Sequence, residues 1–376
     1  MLSHTVPKKL LEQFAYYNPH KRSLWLWRYE KGRQPYPHAS PKSATRIDGH
    51  FATAEDPAKE AELERRLNAE IEEPVTKFLS EIGKPDYIAS QVHRRQLTLY
   101  VSLLFLRSEA RRKAAAHTQE IFKKTVETFI RNEDQIRTVA AKWSIDLLLA
   151  RKIRSGLVTT KMVADGLRKQ IDSLGPTKAR NSYVRMVERA ILEIDVPMMN
   201  GEWRYLRTSP DNPFVLSDAP VVTWERHDKA LSYGLGFHRS DIEVLLPVSP
   251  LLCLHILPAV TRTRPVVDPS VAEVNTAQAA FATRHCFSNV NSPVIDALLQ
   301  PSFGNAEIGV RSFTIWHRNF EQSLYSTLMG APVPFGESDI NPIDGSAIFE
   351  NPLGQLRPSA VFQAGNSLIK NPAYIR

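Results

Sequence analysis

Apolar positions in the middle of the chain recur at the spacing of a helix face. Leu97, Val101, Leu104 and Phe105 form one such set, and Ile121, Phe122, Val126, Phe129 and Ile130 form another. Asn132 to Ala150 and Thr159 to Leu174 read as further helices, with Gly156 as a break and Gly175-Pro176 as a stop. Ala61, Leu63, Leu67, Ile71 and Val75 predict an apolar stripe on a helix over Asp56 to Ile82, split at Pro74. Elsewhere the period changes. Ser23 to Tyr29 alternates in the way of a strand, and short β-like runs follow at Phe214–Leu216, Val221–Trp224, Glu243–Leu246 and Leu251–Leu257. Asp268 to Thr283 reads as a single helix, and Ser312 to His317 as one more strand or a helix start.

Proline sharpens this division. All 26 prolines lie at or before Pro85 or at or after Pro176. A proline inside a helix costs about 3 kcal/mol, so the block between them is free to be helical. The longest apolar stretch, Ile242 to Val260, is interrupted by Pro247, Pro250 and Pro258 and holds His255. Two buried strands joined at Pro247–Pro250 explain it better than a membrane span of about 20 uninterrupted apolar residues. The pattern predicts an α+β protein, with a helical central block and a smaller mixed β-sheet built from N-terminal and C-terminal segments. Its expected divisions are an N-terminal strand segment (1–54), the helical block (55–200), a β-rich segment with one helix (201–330) and an extended tail (331–376).

Composition adds charge to this picture. The 376 residues hold 48 Lys plus Arg against 40 Asp plus Glu, a net of 48 − 40 = +8. Asp86–Gly175 carries 17 basic and 9 acidic residues, the same excess, whereas Glu55–Pro85 carries 5 and 9. Such a basic block attracts polyanions, with nucleic acid the leading expected partner. A solvated helix face, a protein partner or a second copy of the chain remains the alternative. Two cysteines, Cys253 and Cys286, suit a reducing compartment, and Met1-Leu2-Ser3-His4 is unlike a signal segment, so a cytoplasmic protein is expected.

No phosphate-binding Gly-x-x-x-x-Gly-Lys loop, dinucleotide Gly-x-Gly-x-x-Gly, Gly-x-Ser-x-Gly elbow or His-Glu-x-x-His is present. Arg112 and His117 resemble the Arg-x-x-x-x-His spacing of HEPN-type ribonucleases, though five residues do not put two side chains on one helix line. Asp218, at the end of the Phe214–Ser217 run and before Ala219-Pro220, is a carboxylate in an unusual place. It can ligate a metal, act as a base or cap a turn. His4 is similarly either a catalytic group or a hydrogen bond that fixes the fold.

The opening His4-Thr5-Val6-Pro7 with Leu10 and Phe14, the Leu24-Trp25 strand and the Ser217-Asp218-Ala219-Pro220 text resemble the bacterial family called domain of unknown function 4238. Glu72-Glu73, Arg107 with Arg111-Arg112, Leu246–Pro250, Asn275 and Arg284–Ser288 fit the same resemblance, which spans Ser3 to Asn289. It implies an effector or sensor of anti-phage defence acting on nucleic acid, and a convergence of His4, Glu73, Arg107, Asp218, Asn275 and Arg284. Ala219 departs from the family's Ser-Asp-Asn-Pro. On this reading His4, Glu73 and Asp218 are the catalytic candidates of a nuclease. Asp218 and Glu73 would hold a divalent metal such as magnesium or manganese, and Arg94, Arg95, Arg107, Arg111, Arg112 and Arg284 would contact nucleic acid. The competing expectation is a non-enzymatic sensor or protein-interaction scaffold, in which the same polar residues lock the fold.

Overall fold

The computed structural model describes residues 2–38, 40–48, 50, 58–82, 87, 89–113, 159–172, 196–225, 230–231, 242–258 and 266–306, with a few single positions between 123 and 188. The chain divides into two compact units, one of residues 1–115 and 180–308 and the other of residues 116–179 and 309–376. The described part of the second unit is essentially one helix, Thr160–Asp172. Ser312 to His317, His117 and the tail lie outside the described residues.

In the first unit the chain runs β1 (Leu2–His4), α1 (Lys8–Gln13), β2 (Tyr16–Asn18), β3 (Ser23–Glu30), β4 (Arg33–His38), β5 (Arg46–Asp48) and α2 (Ala58–Leu67). A π-helical turn (Asn68–Glu72) leads to α3 (Glu73–Thr76), α4 (Leu79–Ile82) and α5 (Gln91–Leu106). The helix of the second unit is α6. Then come α7 (Val196–Met199), β6 (Glu202–Arg207), β7 (Leu216–Ser217), β8 (Val222–Glu225), β9 (Ala230–Leu231), β10 (Ile242–Ser249) and β11 (Leu252–Leu257). The described chain closes with α8 (Val271–Phe281), β12 (His285–Ser288) and α9 (Pro293–Leu299).

The architecture is α+β, and strands from both ends of the chain meet: β12 pairs with β3, placing His285 opposite Glu30 and Ser288 opposite Trp27. One five-stranded sheet contains β2-β3-β12-β7 with β4 beside β3, the other runs β6-β11-β10-β8-β9, and β1-β5 is a separate pair. Every described pairing is antiparallel, which corrects the expected mixed sheet. The physical reason lies in the connections. β3–β4 and β10–β11 are tight hairpins, and a parallel pair would need a crossover of a dozen or more residues.

The β10–β11 hairpin explains the apolar stretch. Both strands are buried on both faces: Val244, Leu246, Leu254 and Ile256 enter the core that holds α5, while Leu245 and Cys253 enter a second core with Val274, Ala277 and Phe281 of α8. Alternation is lost when neither face meets water. Pro247 lies inside β10, opposite Cys253 and beside a bulge, so the turn is Pro250-Leu251 rather than the whole Pro247–Pro250 segment. Among the described residues no helix is long and apolar enough to cross a membrane.

Leu63, Leu67, Ile71 and Val75 are buried as the stripe predicts, but Ala61 is exposed. Pro74 opens α3, where its missing N–H costs least, after the π turn has loosened the ladder. Eight residues of regular helix turn about 800°, roughly 80° past two full turns. The π turn winds fewer degrees per residue and takes up that excess, so Glu64 and Glu72 come onto one line.

Candidate functional site

Among the described residues Arg107 is the largest fully buried side chain, and it sits where α5 ends. Its Nη1 donates to Glu72, and its Nη2 donates to the His4 carbonyl and lies 3.4 Å from Glu64 Oε1. Burial alone would lower the pKa of this guanidinium, but Glu72 and Glu64 outweigh it and hold the group above its ordinary value. The Arg107 carbonyl accepts from His50 Nε2 at 2.7 Å, and the same nitrogen is 3.0 Å from the Tyr183 hydroxyl. Burial holds His50 neutral down to about 3, with Arg107, Arg112 and Arg180 adding to the depression. Strand β1, α2, the π turn, α5 and residues 50 and 183 are therefore tied to one cation.

A second centre forms around the Ser217-Asp218-Ala219-Pro220 text. Asp218 Oδ1 accepts from the Thr283 amide at 2.8 Å, and Oδ2 accepts from Arg284 at 2.8 Å and His285 at 3.2 Å. It thereby caps the turn between α8 and β12, and its own amide donates to the His285 carbonyl. Burial pushes the carboxyl up to about 6; the three amides pull it back, and the negative charge of Glu109 adds to the rise. Asn275 accepts from Val215 N and donates to the Pro213 carbonyl, while Gln278 accepts from Ser217 N and donates to the Pro220 carbonyl. Two side chains of α8 thus bond the segment as a neighbouring strand would. Ala219 is buried in the core beneath α8.

The segment after α5 joins the two centres. Ser108 accepts from Arg111 N and starts a new helical turn, which brings Glu109 out toward Arg284. Glu109 Oε1 lies 3.4 Å from Arg284, 3.3 Å from Lys113 and 3.9 Å from Arg112. The carboxylate is buried, whereas the Arg284 and Lys113 side chains are 60% and 54% exposed.

The structure thus brings His4 and Arg107 together, Asp218 with the Arg284 amide, and Arg284 with Arg112 on Glu109, but it does not pair Glu73 with Asp218 or His4. Glu73 is exposed and faces Lys77 at 3.6 Å. Its neighbour Glu72 reaches Arg107, because the π turn aims that position inward. Arg94 donates to the Gly201 carbonyl at 3.2 Å and covers the Trp203 ring, Arg95 is exposed, and Arg111 is half-buried over Phe105. Among the described residues no three His, Cys, Asp or Glu side chains stand together as a metal-holding group. The expected ligand pair is not assembled: both Asp218 oxygens already accept from backbone amides, and Glu73 is exposed beside Lys77. Sequence reasoning missed Glu64, Glu109, His50 and Gln278, and it passed over Glu72 in favour of Glu73. The eight-residue spacing of Glu64 and Glu72 hid that pair. Gln278 was detectable, as it follows Asn275 at i+3 on the same helix face.

Taken together, these features define an α+β protein whose motif residues bond distant segments to one another. The family model described as "Protein of unknown function (DUF4238)" matches residues 3–292, and the chain belongs to that family. No curated protein and no solved structure matches it.

Proposed function

We propose that the protein binds nucleic acid without cleaving it through His4, Glu73 and Asp218, in keeping with a sensor role in anti-phage defence. The observation that carries this reading is the cation cluster on Glu109. Arg284, Lys113 and Arg112 share one carboxylate, which leaves an excess of two positive charges held at a fixed place. Exposed arginine and lysine in such an arrangement favour phosphate contacts. The three amides held by Asp218 and the water-facing Glu73 favour binding over metal-assisted hydrolysis.

The test is a salt titration of binding to short single-stranded and double-stranded DNA and RNA, followed by incubation with Mg²⁺ or Mn²⁺. Affinity should fall steeply with salt, and the charge-removing pair Arg284→Gln and Lys113→Gln should flatten the slope by about two. Salt-independent binding, or none at low salt, would remove the proposal. Cleavage lost in Asp218→Asn at unchanged melting temperature would restore the nuclease.

A further inference from the structure

We propose that Arg28, His38, Lys42 and Arg46, set around the loop of residues 40–46 together with His4, form a binding site for a phosphate group. This deepens the nucleic-acid reading and rests on it only for which molecule carries the phosphate.

The residues meet through the chain's own bonds. Arg28 on β3 faces Tyr36 on β4, donates to its hydroxyl at 3.2 Å, and reaches across to the Ala44 carbonyl at 3.4 Å. His38 ends β4 with Nε2 at 3.2 Å from the Ser43 hydroxyl. Arg46 opens β5 opposite His4, and its Nε donates to His4 Nε2 at 3.4 Å. Lys42 is exposed on the loop between them. Three cations therefore surround seven residues of chain, and among the described residues none of the three has a carboxylate partner. On β3, Glu30 is taken by Arg33 and by the Tyr36 hydroxyl.

Two donors there lack acceptors. Arg28 Nε is buried with no hydrogen-bond partner, and so is His4 Nδ1. Since His4 Nε2 accepts from Arg46, the proton of the neutral ring sits on Nδ1, leaving a buried N–H aimed at nothing. Buried donors without acceptors are rare in proteins. An oxyanion at this loop supplies the acceptor that such a donor lacks and a counter-charge for the cations around it.

The electrostatics agree. Burial, then Arg46, Arg107 and Lys42, lower His4 to about 4, and burial with Arg28 lowers His38 to about 4. The charge of Arg107 is itself met by Glu64 and Glu72. Arg28 also faces His285 across β12, alongside Glu30, Arg284 and His38. A bound anion cancels part of this positive field, so His38, whose ring faces a hydroxyl rather than a cation, takes up a proton as it binds, while His4 donates its Nδ1 proton to the anion; binding strengthens as pH falls.

The experiment follows the histidine ring signals by NMR while inorganic phosphate or sulfate is added to the whole protein. Sulfate keeps its charge across the range, so its affinity should rise several-fold between pH 8 and pH 6. His4 and His38 should shift together, and Lys42→Gln and Arg46→Gln should each weaken the effect at unchanged melting temperature. Arg28→Gln is half-buried and serves only as a third check. An oligonucleotide with a free 5′-hydroxyl distinguishes a backbone diester from a free phosphate: the diester should compete with sulfate for the same signals. If sulfate and phosphate move neither histidine at tens of millimolar, or move them equally in Lys42→Gln and Arg46→Gln, the site is refuted. Oligonucleotide binding that persists then leaves the nucleic-acid reading intact. Conversely, shifts with sulfate but none with any oligonucleotide keep the site and overturn that reading.

Discussion

The Arg107 and Asp218 centres solve one problem in opposite ways. Each buries a charge that water would otherwise hold. Arg107 is met by opposite charges from α2 and the π turn and by a carbonyl from β1, all far apart in sequence. Asp218 is met by three amides of a single turn. The first arrangement depends on several elements being in place at once, so its loss is felt across the unit. The second is local, and its loss opens mainly the turn before β12.

Arg107→Met gives the largest expected effect. It leaves Glu64 and Glu72 facing a hydrophobic side chain, which costs about 3–5 kcal/mol, or roughly 6 °C or more in Tm for a unit this size. Adding Glu64→Gln and Glu72→Gln removes the charges that Arg107 had met and should recover most of the loss. If the triple variant is no better than the single one, a net ion-pair attraction rather than an uncompensated charge is the cause.

The two centres also respond to acid with opposite sign. His50 is held at about 3 in the folded protein, against 6.5 unfolded, so the unfolded chain binds the extra proton. Stability is therefore lost as pH falls below 6.5, by about 3 kcal/mol near pH 4.5 from this group alone. His4 and His38 add to the loss in the same direction. Asp218, raised to about 6 from 3.8, binds its proton more tightly when folded, so its contribution improves as pH falls through that window. Urea midpoints measured from pH 8 to pH 4.5 should decline in the wild type, and more shallowly in His50→Gln.

Asp218→Asn sharpens the contrast at a smaller scale. The amide keeps one acceptor but turns an NH₂ toward a backbone donor, which costs about 1–3 kcal/mol at neutral pH. Because the variant lacks the titration, its deficit should widen as pH falls through about 6, which paired urea curves would read directly. The smallest effect separates two neighbours. Glu73→Gln should change stability by less than about 0.5 kcal/mol, since it removes only an exposed pair with Lys77. Glu72→Gln, one residue away, should cost several times more.

That neighbouring pair shows how far the sequence could be read. The α+β class followed from the change of period along the chain, the two joined strands over Ile242–Leu257 from an apolar run cut by prolines, and the α8 helix from an alanine-rich stretch. The motif residues His4, Arg107, Asp218, Asn275 and Arg284 were visible too, and all are engaged in bonds between segments. Their grouping into two centres was not visible, because hydrogen bonds to backbone amides leave no signature in residue type. Asp218 bonded to three N–H groups reads the same as Asp218 aimed at a metal. Glu73 was chosen over Glu72 on the family resemblance, which carries no sign of the π turn that aims Glu72 inward.

That turn is also what one extra residue in a helix looks like. Removing exposed Ala69 would bring Glu64 and Glu72 seven residues apart, close to two turns of regular helix, and would keep Leu63, Leu67, Ile71 and Val75 on one face. A single-residue deletion here should therefore be tolerated. An insertion at the same place would swing Glu72 off Arg107, so the segment accepts a change of length in one direction only.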